Sequence, residues 1–242
     1  MALYRDQGII LRTYKLGEAD RIVHLLAQGR GKVRAVAKGI RRPGSKLGGR
    51  LEPFSHVDLQ LYEGRDLDIV TQAELITPFA DLRDDWALSA CASAMVEAAD
   101  QLAQPGERSN RLFLLLLQGL RALSGAPHHP TLMLDAYLLR LVALAGYHPS
   151  LDHCASCGDP GTHGVFSIAG GGALCDTCAP RDSRPMDSSA RALLDVLAQS
   201  SWADLAEVEI PPRTRRIAGT LVHSFLTYHL GRPLRSWDLV PR

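Results

Sequence analysis

No stretch of these 242 residues stays apolar for the ~20 positions that a membrane-crossing helix needs. The opening residues, MALYRDQGIILRTYK, carry charge from the fifth position and have no small-residue cleavage site behind an apolar run. A secretory leader is therefore not expected, and the chain reads as cytosolic, where thiols stay reduced. Catalytic signatures are missing too. There is no Walker A sequence, no GxSxG and no HExxH, and the deaminase combination of HxE with PCxxC does not occur. Nine histidines are scattered without a catalytic grouping. Internal repeats and low-complexity tracts are absent. These absences leave a soluble binding protein as the expectation, not an enzyme.

The next absence is local. Lys and Arg total 27 against 26 for Asp and Glu, yet from Arg30 to Arg50 there is no acid at all. That window holds Arg30, Lys32, Arg34, Lys38, Arg41, Arg42, Lys46 and Arg50. Positive charge gathered in one place is the footprint of a polyanion surface, with nucleic acid as the expected ligand. The competing reading is a solvated charged face. Against it stand the missing acids, the alternation of bases along one predicted strand, and the basic loop at 39–49, whose glycines predict flexibility. Backbone phosphates are read by charge alone, so such a surface would bind without sequence preference. Aromatics make up only 6% of the chain. Tyr14, Phe54 and Tyr62 are the candidates for stacking, and each also reads as a core or rim residue.

Residues 1–80 read as all-β, with strands expected at 7–14, 20–27, 32–38, 56–62 and 67–75. Alternation is the signal: Val57, Leu59 and Leu61 share one face of HVDLQLY, and Val33, Ala35 and Ala37 share one face of KVRAVAK. Lys32, Arg34 and Lys38 then fall on the opposite face. Five short strands suggest a small barrel, either an OB-fold or an SH3-like barrel.

From residue 81 the pattern turns helical. Asp84 and Asp85 are expected in a first turn, followed by an apolar stripe of Leu88, Cys91, Met95, Ala98, Ala99 and Leu102. Further helices are expected at 110–123, 131–145, 190–199 (capped by Ser188 or Ser189) and 213–230. Arg213, Arg215 and Arg216 near the start of the last helix suggest a contact with a second nucleic-acid segment or an acidic peptide, or an ordinary charged helix face. The fold class is thus α+β and multidomain: a barrel at 1–80, then a mainly α-helical domain at 81–242.

Within that helical domain, residues 149–185 are short, polar and glycine-rich. They hold Cys154-x2-Cys157 and, seventeen residues later, Cys175-x2-Cys178. Two CxxC knuckles at this spacing match a structural zinc site. Each knuckle offers two thiolates, and together they complete a tetrahedron with Zn–S of ~2.3 Å. Four thiolates leave no open position, so one structural Zn2+ is expected and no metal catalysis. Unrelated thiols and an iron–sulfur cluster are the alternatives. His153 and His163 lie close enough in sequence to replace a ligand, whereas Cys91 reads as a buried inert thiol.

At this point a family resemblance becomes visible. The run GEADRIVHLLAQGRGKVRAVAKGIRRPGSKLGGRLEPFSHVDLQLYEGRDLDIVTQAEL, the cysteine pairs and the ending YHLGRPLRSW resemble the RecO family of bacterial DNA repair proteins. The likeness runs through nearly the whole chain. It implies an N-terminal OB-fold, a helical domain and a zinc-ribbon-like element. It further implies binding of single- and double-stranded DNA, annealing of complementary strands, and cooperation with RecR in placing RecA on strands covered by single-strand-binding protein, whose acidic tail is contacted. The bases from Lys32 to Arg50 fall in the family's DNA-binding domain, and the four cysteines fall on its metal positions. Some members lack the cysteines. A barrel plus a zinc ribbon also fits an RNA-binding or transcription adaptor, and a basic loop fits a scaffold that docks an acidic protein.

Overall fold

In the computed structural model, which describes residues 2–125 and 127–241, the alternation of the N-terminal region becomes the wall of a barrel. Strand β4 (His56–Tyr62) turns Val57, Leu59 and Leu61 into an apolar core, and β3 (Gly31–Ala37) turns Val33, Ala35 and Ala37 into the same core. They are joined by β1 (Leu3–Leu16), β2 (Asp20–Ala27) and β5 (Asp68–Thr77). The strands close in the order β1-β2-β3-β5-β4, and the seam between β3 and β5 is parallel. This is the five-stranded architecture of an OB-fold. β1 pairs with β4 through its first half and with β2 through its second, with a register shift between Ile10 and Arg12. A bulge there bends one long strand around the barrel.

The chain from β3 to β4 is not the loose loop that its glycines suggest. Backbone bonds Arg42 N to Gly39 O, Ser45 N to Arg42 O, Gly48 N to Ser45 O and Arg50 N to Leu47 O stitch it into consecutive turns. Buried Ile40 and Leu51 anchor both ends in the barrel core. Phe54 is buried as well, in a left-handed backbone conformation, and is not available for stacking.

The first helical stretch breaks in two. Helix α1 (Asp81–Asp84) ends at Asp85, whose carboxylate caps α2 (Trp86–Leu102) by accepting from Leu88 N at 2.9 Å. Asp85 is thus an N-cap, not a first-turn residue. The buried face of α2 includes Cys91, Met95, Ala98 and Ala99, and it also takes in an acid, Asp100. Helix α3 (Asn110–Ser124) follows, and these three helices form one compact unit with the barrel, up to Ser124. Barrel gives way to helix near residue 80, but compact packing divides the chain later, because α1–α3 bury their apolar faces within this first unit.

The second unit runs from Gly125 on. Helix α4 (Pro130–Leu144) is buried nearly all round, with Tyr137 fully enclosed, and packs against α5 (Ser188–Gln199), α6 (Trp202–Glu207) and α7 (Pro212–Leu230). The cap of α5 is Asp187, which accepts from Ala190 N at 2.8 Å, one residue before the serines expected to do so. Seven α-helices occur among the described residues. Between α4 and α5 lies a small sheet, β7-β6-β8, built from β6 (Val165–Ser167), β7 (Gly172–Leu174) and β8 (Arg184–Pro185). A side chain at Gly172 would meet the Ser150 carbonyl at 2.3 Å, so glycine is required where β7 passes the entry to the cysteine segment. Among the described residues no helix is long and apolar enough to cross a membrane.

Candidate nucleic-acid interface and metal centre

The eight bases of the acid-free window go to different places. Arg34, Lys38, Arg42 and Lys46 are exposed. Arg30 is exposed too, with its guanidinium 3.8 Å from the centre of the Tyr4 ring and 3.2 Å from Glu63. Arg41 and Arg50 are exposed and Lys32 is half-buried, and all three bond to groups of the protein itself. Arg41 donates to the Glu18 carbonyl at 2.9 Å and Arg50 to the Ala73 carbonyl at 2.8 Å. Lys32 lies 2.6 Å from the Asp100 carboxylate, which also pairs with Arg12. Asp100 is therefore a buried anchor that fixes α2 to two strands of the barrel. Nothing in the helical periodicity marked it, since the acid sits on the buried face.

Arg30, Lys32 and Arg34 line an open cleft of about 520 Å³. Two more bases enter it that the charge run did not contain: Arg65 from the β4–β5 loop and Arg108 from the α2–α3 loop. Asp66 and Asp68 are its acids. Asp68 is already engaged, since it accepts from the Tyr4 hydroxyl and from Gly64 N at 3.0 Å. Burial, then Asp68, raises the Tyr4 phenol well above its ordinary value, so this staple stays neutral on the Tyr4 side. Arg108 reaches the cleft because Gly31 lets the α2–α3 loop approach: a Cβ there would stand 2.0 Å from the Glu107 carbonyl. Five bases from three separate segments converge, where the sequence alone pointed to one.

Beside the cleft, the outer barrel face carries two cross-strand rows. Arg12, His24 and Arg34 are in register across β1, β2 and β3, and Tyr14, Ile22 and Val36 form the next row. The Tyr14 and His24 rings meet edge to face, 5.2 Å between centroids. His24 is pushed below its ordinary pKa by burial first and by Arg34 second, so the ring is neutral at pH 7.

The four cysteines come together as their spacing predicts. The Sγ atoms of Cys154, Cys157, Cys175 and Cys178 all lie within 4.8 Å of one another, and Cys157 and Cys175 are 3.9 Å apart. A tetrahedron with ~2.3 Å metal–sulfur bonds has edges of roughly 3.8 Å. Each knuckle is closed by its own backbone: Gly158 N donates to Cys154 O at 2.9 Å, and Ala179 N to Cys175 O at 3.0 Å. Backbone N–H groups of Cys157 and Cys175 pull the Cys154 thiol down to about 6. Contact with the Cys175 and Cys157 sulfurs pushes Cys178 up to about 12. One thiolate is thus prepared while its neighbours resist a second charge, a conflict that a bound divalent cation removes. The residues present fit a metal ion. His153 and His163 stay outside the cluster: His153 Nδ1 lies 2.6 Å from Asp152, and His163 Nε2 lies 3.0 Å from the Asp159 carbonyl. Arg213 and Arg216 are exposed and Arg215 is half-buried in the first turns of α7.

Comparison with known proteins extends over the whole chain. The family profile described as Recombination protein O N terminal matches residues 1–79, and Recombination protein O C terminal matches residues 83–238. A protein named DNA repair protein RecO from Nocardioides sp. is 50% identical over 247 residues, covering 99% of this chain and all of the relative. Proteins of the same name from Frankia casuarinae and Streptomyces avermitilis are 45% and 46% identical, over the full length of both partners.

Proposed function

This chain belongs to the recombination protein O family of DNA repair proteins, and on that footing we propose that it binds single- and double-stranded DNA through its barrel unit and anneals complementary strands. With RecR it would place RecA on strands covered by single-strand-binding protein, contacting that protein's acidic tail. The role is non-catalytic and cytoplasmic, at the nucleoid.

The observation that carries the DNA-binding step is the cleft, where Arg30, Lys32, Arg34, Arg65 and Arg108 face one open channel. Phosphates held there lose their condensed counterions, and that release drives binding without regard to sequence. Arg34, Lys38, Arg42 and Lys46 extend positive charge along the β3–β4 segment. Lys32, Arg41 and Arg50 contribute mainly by holding that segment in place. Annealing follows from the same electrostatics: a protein that neutralises phosphates on two strands lowers their repulsion, and base pairing completes the product without nucleotide energy.

Cys154, Cys157, Cys175 and Cys178 would hold one Zn2+. The ion supplies closed tetrahedral crosslinking and no reactive position. Its work is to fix a segment whose own apolar content is small.

The test follows labelled single-stranded DNA by fluorescence anisotropy across a salt series, beside an RNA of matching sequence. Binding should weaken steeply with salt and should not favour RNA. Replacing Arg34, Arg65 and Arg108 together by Ala should lower the slope of log K against log salt by about 2, at ~0.7 per phosphate contact. An unchanged slope would remove the cleft from the DNA path, and a marked preference for RNA would favour an RNA-binding adaptor instead.

A further inference from the structure

A cleft lined by cations attracts a duplex and a single strand alike, so the source of any preference between them must lie outside it. Arg34 is the point where the cleft meets something else. It lines the cleft, and it stands directly opposite His24 on the outer face of β2. From there the row continues to Arg12 on β1, and the neighbouring row begins at Tyr14. Residues two apart on a strand share a face. Arg12, Tyr14, Ile22, His24, Arg34 and Val36 therefore form one outward surface, while Val23, Val33 and Ala35 between them point into the core.

Tyr14 is the aromatic of that surface, with 46% of its area exposed. It is also held in place. Arg12 Nη1 donates to the Tyr14 hydroxyl at 3.3 Å, and Arg12 is itself paired with the buried Asp100. The His24 ring props the phenol from its edge. A ring fixed at its tip and its edge loses little freedom when a flat ligand lands on its face. Apolar Ile22 and Val36 complete the surface beside it and offer a base no competing charge.

We propose that this face is a base-stacking platform: an unpaired DNA strand lays its phosphates in the Arg34-lined cleft and a base on Tyr14. A duplex keeps its bases stacked on each other and has no free face to offer, so the platform gives a preference for single strands. The inference rests on the DNA-binding reading above and adds to it the source of strand discrimination. A base–aromatic stack tolerates any base, which suits a protein that must act on unrelated sequences.

The experiment uses the full-length protein and three labelled ligands: a single-stranded homopyrimidine, the same backbone with abasic residues, and a duplex. Wild type should bind the base-bearing strand more tightly than the abasic one. Tyr14→Ala should weaken binding of the base-bearing strand about tenfold, within the range for one stacked base. It should leave the abasic strand, the duplex and the salt slope unchanged, because no phosphate contact is lost. Tyr14→Phe keeps the ring face and gives up one exposed hydrogen bond, so it should stay within about threefold of wild type. An equal loss on all three ligands, or no loss on any, overturns the platform while leaving the cleft intact. Failure of wild type to bind any of the three overturns the DNA-binding reading and the platform together.

Discussion

The barrel and the cysteine-bearing segment face the same difficulty with opposite resources. Barrel strands of seven to fourteen residues close a hydrogen-bonded ladder on themselves and enclose fourteen buried apolar residues. The segment from Leu151 to Met186 has strands of two or three residues, and its buried apolar side chains besides Cys154 are Leu151, Phe166, Ala173, Leu174 and Met186. Apolar surface removed from water contributes about 25 cal/mol for each Å², and the first set has far more of it to set against the entropy of ordering than the second. In the second, four converging thiols stand where a core would be. The stability of the barrel comes from inside, and its outer face carries Arg12, Tyr14, His24 and Arg34. The cysteine segment spends its most reactive side chains on holding itself together.

The largest effect should come from taking away the metal. Chelation, or Cys154→Ser with Cys178→Ser, should abolish stoichiometric metal binding and expose amides across residues 149–185 to hydrogen exchange, while barrel amides stay protected. Persistent protection of the segment without metal would mean that its small core suffices, and the contrast would collapse. Next in size is Leu59→Ala, which opens a cavity in the barrel core and should cost about 2–5 kcal/mol in denaturant unfolding of that unit. Metal content should not change. Loss of the metal in this variant would show that the two regions depend on each other.

Asp100→Ala should act less strongly, lowering barrel-unit stability by about 1–3 kcal/mol because Lys32 and Arg12 lose their shared partner. The same variant should bind DNA more tightly at low salt, since Lys32 then faces the cleft unneutralised. Reduced affinity would mean that the anchor matters more than the charge it releases. The smallest effect concerns pH. His56 is buried against the edge of the Phe113 ring, and burial first and Arg121 second lower its pKa. Its folded value lies below the unfolded value of ~6.5, so the folded barrel takes up this proton less readily. Stability attached to His56 is complete above pH ~6.5 and declines as pH falls toward the folded value. His56→Gln should flatten that decline in the denaturant midpoint, and an identical pH dependence in the variant would exclude the histidine as its source.

Much of this was legible in the residues. Alternation in KVRAVAK and HVDLQLY identified the core side of β3 and β4, and the two CxxC pairs identified the cluster of four cysteines. These are patterns of short range, set by a strand period of two and by a tight turn that brings neighbouring thiols to one side. Other features were not legible. Asp85 and Asp187 could be recognised as caps only once the helix starts were known. The glycines at 39–49 suggested looseness, but Ile40 and Leu51 anchor that stretch in the barrel. Phe54 looked available and is enclosed.

What the sequence determined by itself was therefore the inventory: a barrel, a helical region, a thiolate cluster and a concentration of positive charge. Only the tertiary structure decided which charges face solvent and which face a partner within the fold. Lys32 and Arg34 are two residues apart on one strand, with the same sign and the same period, yet one meets Asp100 of α2 and the other meets solvent. Arg65 and Arg108 lie far along the chain from the basic run and still enter its cleft, the second because Gly31 leaves room for the Glu107 backbone. The physical reason is that charge is carried by the residue, whereas electrostatic potential at a surface is a sum over space. Segments distant in sequence contribute to it as fully as neighbours do.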